Sequence, residues 1–73
     1  MKLTIGNRIS WVSAQGVLNG TIKNIVLDEN AAEKTVPWID VVYGENDCNG
    51  VRLCATHSNL RMMNVKLVTA NLV

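Results

Sequence analysis

The sequence has few aromatic residues and no phenylalanine. Trp11, Trp38 and Tyr43 are the only large aromatic side chains, yet 48% of the 73 residues are hydrophobic and only 18% are charged. The core must therefore be built mainly from valine, leucine and isoleucine, and the β-branched members of that set favour strands. This composition excludes a disordered tail. It indicates one small domain over residues 1–73, near the lower size limit for a self-supporting core.

Long apolar runs are also missing. No run approaches the roughly 20 residues that a membrane-spanning helix needs. Residues 1–8 read Met-Lys-Leu-Thr-Ile-Gly-Asn-Arg, without a continuous apolar stretch of signal-peptide length. We therefore expect a cytoplasmic protein that has no membrane contact.

Only two cysteines occur, Cys48 and Cys54. The alternating residues around Cys54 place it inside a strand, with Cys48 before that strand. An extended chain gains about 3.3 Å per residue, which separates the pair beyond the roughly 7 Å that a disulfide allows. Two reduced thiols are predicted, as expected in the cytoplasm.

No combination of reactive side chains matches a catalytic or metal site. Cys48, Cys54 and His57 offer three metal ligands, but structural zinc needs four and the sequence has no further Cys or His. Cys54 and His57 also lack an orienting group that would make a nucleophile and base of them. The carboxylates around Asp28 and Asp47 lie in turn-like segments, where acids commonly cap local structure. We expect a non-enzymatic protein with no metal and no cofactor.

Alternation of apolar and polar residues predicts five strands. They are expected at residues 8–12, 17–27, 36–43, 51–56 and 65–68. The connections are a short turn, a loop over residues 28–35, a hairpin turn over residues 44–50 and a single 3₁₀ turn over residues 57–61. This order predicts an all-β fold, a five-stranded SH3-like barrel with a 3₁₀ turn before its last strand.

The second predicted strand is irregular. Leu18 and Ile22 share one face, whereas Ile25 and Leu27 have the opposite parity. A strict two-residue period cannot bury both sets, so we predict a β-bulge or sharp bend at residues 23–24 that inserts one residue. A long, bent second strand of this kind can serve both sides of a small barrel.

The opening of the chain resembles a known group of small barrels. Residues 6–11 read Gly-Asn-Arg-Ile-Ser-Trp and are followed by Gly16, Gly20 and Ile22. This stretch is similar to the start of small bacterial Tudor-like and KOW-like proteins, especially the hypervirulence-associated Tudor-like group. The resemblance implies an SH3-like barrel of bacterial or mobile-element type, and it implies no activity. Gly20 suits a position where another backbone passes close by.

Two other barrel families show weaker resemblances. Plasmid-type (type II) dihydrofolate reductases share a Gly-x-Arg-aliphatic opening and carry a Val-Gln-Ile-Tyr segment that lines a pore between subunits. The equivalent segment here is Val51-Arg52-Leu53-Cys54, without the Gln and Tyr that contact folate and cofactor, so that activity is not implied. Residues 16–20 resemble an Sm-like barrel, but the N-terminal helix of the Sm proteins has no counterpart. A homo-oligomer with a site between subunits remains one alternative.

Charge is unevenly distributed along the chain. Residues 1–27 carry three bases and no acid, residues 28–47 carry six acids and one lysine, and residues 48–73 carry three bases and no acid. The simplest interpretation is that these charges lie on ordinary solvated loops. The alternative is a basic face that binds an anionic partner. The net charge of only +1 argues against strong, sequence-independent binding of nucleic acid. The candidate nucleic-acid-binding residues are Arg8, Lys23, Arg52, Arg61 and Lys66.

Trp38 is the side chain most suggestive of a partner. If Ile39 and Val41 face the core, then Trp38, Asp40 and Val42 face outward. An exposed tryptophan often marks a contact surface, and the alternative is that Trp38 covers the mouth of the barrel. The first functional hypothesis is a protein-binding module that uses Trp38, Asp40 and Val42. The second is a nucleic-acid accessory protein that uses the basic face.

Overall fold

The computed structural model describes residues 2–28 and 36–68. The strands in these ranges are β1 (Arg8–Ser13), β2 (Gly16–Asp28), β3 (Val36–Tyr43), β4 (Asn49–Cys54) and β5 (Lys66–Leu67). A short 3₁₀ turn, Glu45–Asp47, joins β3 to β4, and one helix, α1 (His57–Met62), lies between β4 and β5. The described part of the chain is mostly strand, which confirms the all-β prediction.

The strands form a single antiparallel sheet in the order β4-β3-β2-β1-β5. The pairing of β1 with β2 runs from Arg8 opposite Thr21 to Ser13 opposite Gly16. β5 is short and pairs with β1 at two positions. Within the described ranges β4 and β5 are the two edges of the sheet, which is therefore not closed.

A bulge bends β2 at the predicted place. The register of β2 on β3 shifts between Ile22 and Asn24, so that Lys23 is the inserted residue. Beyond the bulge, Ile25 packs against the core as expected. The same expectation for Leu27 is wrong, since its side chain is 59% exposed. Leu27 lies near the end of β2 and pairs with β3 beyond the last buried residue of that strand.

The core lies on the inner face of this bent sheet. Its buried members are Ile9, Trp11, Ile22, Ile39, Val41, Leu53 and Val65. Leu60 and Met63, in and just after α1, cover it from the side. The rings of Trp11 and Tyr43 meet edge to face, with centroids 5.7 Å apart and planes at 87°. As expected without phenylalanine, aliphatic side chains supply the rest of the core.

Gly20 lies on the inner face of β2 at a close approach between strands. A Cβ atom at this position would lie 2.6 Å from Val41 Cγ1 and 2.6 Å from the carbonyl oxygen of Val42. It would also lie 3.1 Å from the Trp11 ring. Only a residue without a side chain fits, which confirms the role predicted for this glycine.

The segment before the last strand differs from the prediction. It is an α-helical turn rather than a 3₁₀ turn, because the Leu60 N–H reaches the Thr56 carbonyl at 2.9 Å, a four-residue step. Thr56 is the N-cap, and its hydroxyl accepts a hydrogen bond from the Asn59 N–H at 3.4 Å. β4 therefore ends at Cys54 instead of residue 56. The predicted loop over residues 28–35 falls, beyond Asp28, outside the described residues.

Candidate binding surface

The outward side of β3 is the surface that the sequence singled out. Ile39 and Val41 are buried, while Trp38, Asp40 and Val42 have the opposite parity and are half-buried. Their cross-strand neighbours include Thr21, Asn24 and Gly50. We call the three residues of β3 and their other three cross-strand neighbours the outer surface of β3. Its members are Val26, Trp38, Asp40, Val42, Arg52 and Cys54.

Trp38 lies in an apolar row that crosses three strands. Val26 on β2 and Cys54 on β4 are its direct cross-strand partners. Directly opposed residues of antiparallel strands point to the same face, with Cβ atoms about 4.5–5.5 Å apart. The outward face of an antiparallel sheet is normally polar. An apolar row at this position explains why the indole is half-buried by its neighbours yet still open to a partner.

An ion pair divides this surface. Arg52 lies directly opposite Asp40, and its guanidinium donates from Nε to Oδ1 at 2.7 Å and from Nη2 to Oδ2 at 3.1 Å. This is the bidentate geometry in which arginine recognises a carboxylate best. Asp40, predicted as a partner contact, and Arg52, predicted as a nucleic-acid contact, therefore hold each other.

The ion pair with Arg52 should lower the pKa of the Asp40 carboxyl. The hydrogen bond from Arg52 lowers the pKa of Asp40 below the ordinary aspartate value, with partial desolvation opposing it and the positive charge of Arg52 adding to it. Because the folded-state pKa lies below the unfolded one, the pair stabilises the fold at neutral pH, and this stabilisation is lost as the pH falls through the lowered pKa. NMR titration of the Asp40 carboxyl should give a pKa below 3.8.

The variant Arg52→Gln should move the Asp40 pKa back upward. Arg8→Gln is the matched control, because Arg8 hydrogen-bonds Thr21 Oγ1 at 3.2 Å on β2 and does not pair with Asp40. An Asp40 pKa that is the same in wild type and Arg52→Gln would show that the guanidinium does not hold the carboxylate in solution.

The register places Arg8, Arg52 and Lys66 on the outward face of the sheet, as predicted, but the five candidate nucleic-acid contacts do not form one cluster. Arg8 on β1 and Lys66 on β5 lie on adjacent strands, and Lys66 is opposite Ser10, two residues from Arg8. Lys23 is exposed at the bulge, and Arg61 lies on α1. Arg52 on β4 is three strands from Arg8, about 14 Å at the usual strand spacing. Only Arg8 and Lys66 form a compact basic pair.

The cysteines and the histidine do not converge. Cys48 is exposed in the turn before β4, and Cys54 is half-buried on the outer surface of β3, with no disulfide between them. The Cys54 thiol donates to Thr56 Oγ1 at 3.7 Å. Over residues 2–28 and 36–68, no three His, Cys, Asp or Glu side chains come close enough to hold a metal ion. In the same ranges no helix combines the length and apolar character that crossing a membrane requires.

The sequence did not predict a shallow apolar depression on the inner side of the sheet. It measures about 250 Å³ and lies at the tip of the β1–β2 hairpin. Trp11, Leu18, Tyr43 and Val51 supply its apolar wall. No local sequence pattern indicates it, because its apolar wall is assembled from four different strands.

Comparison with known proteins identifies no relative. No protein-family model matches the sequence, and neither the curated proteins nor the solved structures contain a significant match.

Proposed function

We propose that this chain is a small, non-enzymatic binding module that recognises a protein through the outer surface of β3. The proposal rests on the apolar row around Trp38, which lies on the outward face of the sheet. The outward face of an antiparallel sheet is normally polar. Tryptophan is enriched among the few residues that dominate binding energy at interfaces, where the surrounding contacts exclude water. The Arg52–Asp40 pair lies two residues along the strands from Trp38 and Cys54 and forms one edge of such a surround.

We assign the fold to the SH3-like type, of the Tudor-like and KOW-like kind. Support comes from the strand order β4-β3-β2-β1-β5, from the bent β2 and from the single helical turn between β4 and β5. The similarity of residues 6–22 to small bacterial Tudor-like proteins agrees with this assignment. Unbridged Cys48 and Cys54 support a reducing compartment such as the cytoplasm.

A protein partner is favoured over a nucleic acid by the placement of charge. Binding of single-stranded nucleic acid combines a basic groove with aromatic side chains on which bases stack. Arg8 and Lys66 lie on the β1–β5 side of the sheet, whereas Trp38 lies on β3. Arg52, which lies beside the apolar row around Trp38, is paired with Asp40. The aromatic and basic features are therefore separated.

Trp38→Ala tests the proposal directly. The natural partner is captured from the host with the full chain, identified by mass spectrometry and titrated by calorimetry against each variant. We expect Trp38→Ala to weaken binding by about 2 kcal/mol, roughly 30-fold, which is typical of an interfacial tryptophan. Val12→Ala is the matched control, since Val12 is exposed and outward on β1, away from β3. Its affinity should equal that of the wild type.

Equal affinities for a folded Trp38→Ala and the wild type would reject the outer surface of β3 as the contact. Titration with single-stranded DNA and RNA tests the alternative function, nucleic-acid binding. Affinity that falls steeply with salt, and that is lost in Lys66→Ala but kept in Trp38→Ala, would replace the proposal with nucleic-acid binding.

A further inference from the structure

The two edges of the sheet are unequal. β5 is two residues long, whereas β4 is a six-residue strand with β3 on only one side. An edge strand presents a row of unpaired N–H and C=O groups, which is a template for another strand. Which of these groups are free follows from the register of β4.

Alternate residues of β4 direct their backbone groups away from β3. The Ala55 N–H donates to the Pro37 carbonyl at 2.8 Å, so residues at even steps from Ala55 bond to β3. Gly50, Arg52 and Cys54 lie at the odd steps, and their N–H and C=O groups point to the open side.

A side chain already covers one end of this edge. Asn59 Nδ2 donates to the Cys54 carbonyl oxygen at 2.6 Å, which shows that this oxygen points away from β3 and that α1 blocks the approach. At the other end the strand begins at Asn49, directly after the turn. The groups left for pairing therefore belong to Gly50 and Arg52, with Val51 at the centre of the segment.

We propose that β4 of a second copy of this chain pairs with this edge, antiparallel and about a twofold axis at Val51. In that register Gly50 lies opposite the second copy's Arg52, so every free N–H and C=O of both segments is bonded. The register centred on Arg52 instead sets two guanidinium groups opposite each other, which is unfavourable. The inference does not depend on the proposed function.

The side chain at the centre of this β4 segment is also compatible with pairing to a second copy of the chain. Val51 is half-buried at the rim of the depression beside Tyr43. In the proposed register it faces the second copy's Val51 in a non-hydrogen-bonded pair, where side chains approach most closely.

Charge complements this arrangement at both ends. Antiparallel pairing brings the turn before β4 of one copy towards α1 of the other. The turn carries the exposed acids Glu45 and Asp47, and α1 carries exposed Arg61. Opposite charges therefore meet twice, which favours a second copy over an unrelated strand.

Sedimentation velocity on the full chain, from micromolar to millimolar concentration, measures the pairing. The mass should rise from 8.0 kDa towards twice that value. Gly50→Pro removes an N–H at the open edge and should raise the dimer dissociation constant about ten-fold or more. Gly50→Ala is the control, because the nearest atom to its Cβ is the Val41 oxygen at 3.8 Å. A monomer throughout, or a dimer that Gly50→Pro does not weaken, would overturn the proposal.

Cross-linking tests the register without relying on proline. Val51→Cys in a Cys48→Ser, Cys54→Ser background places two thiols across the twofold axis, where Cα atoms are about 4.5 Å apart and a disulfide can form. Oxidation should give a disulfide-linked dimer on a non-reducing gel. Val12→Cys in the same background is the control and should link far less.

Equal linking of the two cysteine variants would reject the twofold axis at Val51. A second outcome would also reject self-pairing. If the chain stays monomeric, and Gly50→Pro but not Gly50→Ala fails to bind a different protein of the host, the edge pairs with a strand of that protein.

Discussion

Replacing Trp11 with alanine is expected to lower the free energy of unfolding by about 3–5 kcal/mol, the usual cost of removing a buried aromatic side chain. Trp11 is only 2% exposed, and its ring meets Tyr43 edge to face in a core that is otherwise aliphatic. A small domain has only a few kcal/mol of net stability, so most of it would be lost. Urea unfolding followed by far-ultraviolet circular dichroism measures the change without depending on the deleted indole.

Val12→Ala is the control for this measurement, because Val12 is the next residue and is 45% exposed on the opposite face of β1. Its effect should stay within about 0.5 kcal/mol. If both variants unfolded at the same urea concentration, the inward orientation of Trp11 would be wrong.

Gly20→Ala should have the second largest effect, a loss of about 3 kcal/mol, although it adds only one methyl group. That methyl would lie 2.6 Å from both Val41 Cγ1 and the Val42 carbonyl oxygen. The valine side chain can rotate, but the carbonyl is part of the β2–β3 pairing and cannot move without separating the strands. Chemical denaturation and near-ultraviolet circular dichroism, which reports on Trp11 and Tyr43, both detect the change.

Gly50→Ala makes the same chemical change on β4, where the nearest atom is 3.8 Å away. It should cost well under 1 kcal/mol, since ordinary van der Waals contact replaces overlap. Equal destabilisation by the two variants would mean that the loss reflects glycine flexibility rather than the close approach at Gly20.

These two variants also separate stability from recognition. Trp11 and Gly20 support the inner face, so their replacement should reduce partner binding only by depopulating the folded state. Trp38 lies on the outer surface of β3, and its replacement should reduce affinity in a chain that remains folded. Comparing affinity per folded molecule across the three variants distinguishes the two effects.

Local patterns in the sequence accounted for the direction of individual side chains. The change of parity in β2 predicted the bulge at Lys23, because a period of two leaves no other way to turn both sets of apolar residues inward. The same period placed Trp38, Asp40 and Val42 on the outward side of β3. It could not predict that Leu27 stays exposed, since burial depends on what the rest of the fold covers.

The all-β class, the bulge and the two faces of β3 could be predicted from the sequence, because each follows from alternation between neighbouring residues. The pairing of Asp40 with Arg52 could not, because the two residues are twelve positions apart and meet through the register of β4 on β3. The fold likewise sets the contact of Asn59 with the Cys54 carbonyl and the position of β4 at the edge of the sheet, where Gly50 and Arg52 are open. Such features arise from strand order and register, which short-range patterns do not specify because contacts between distant segments set them.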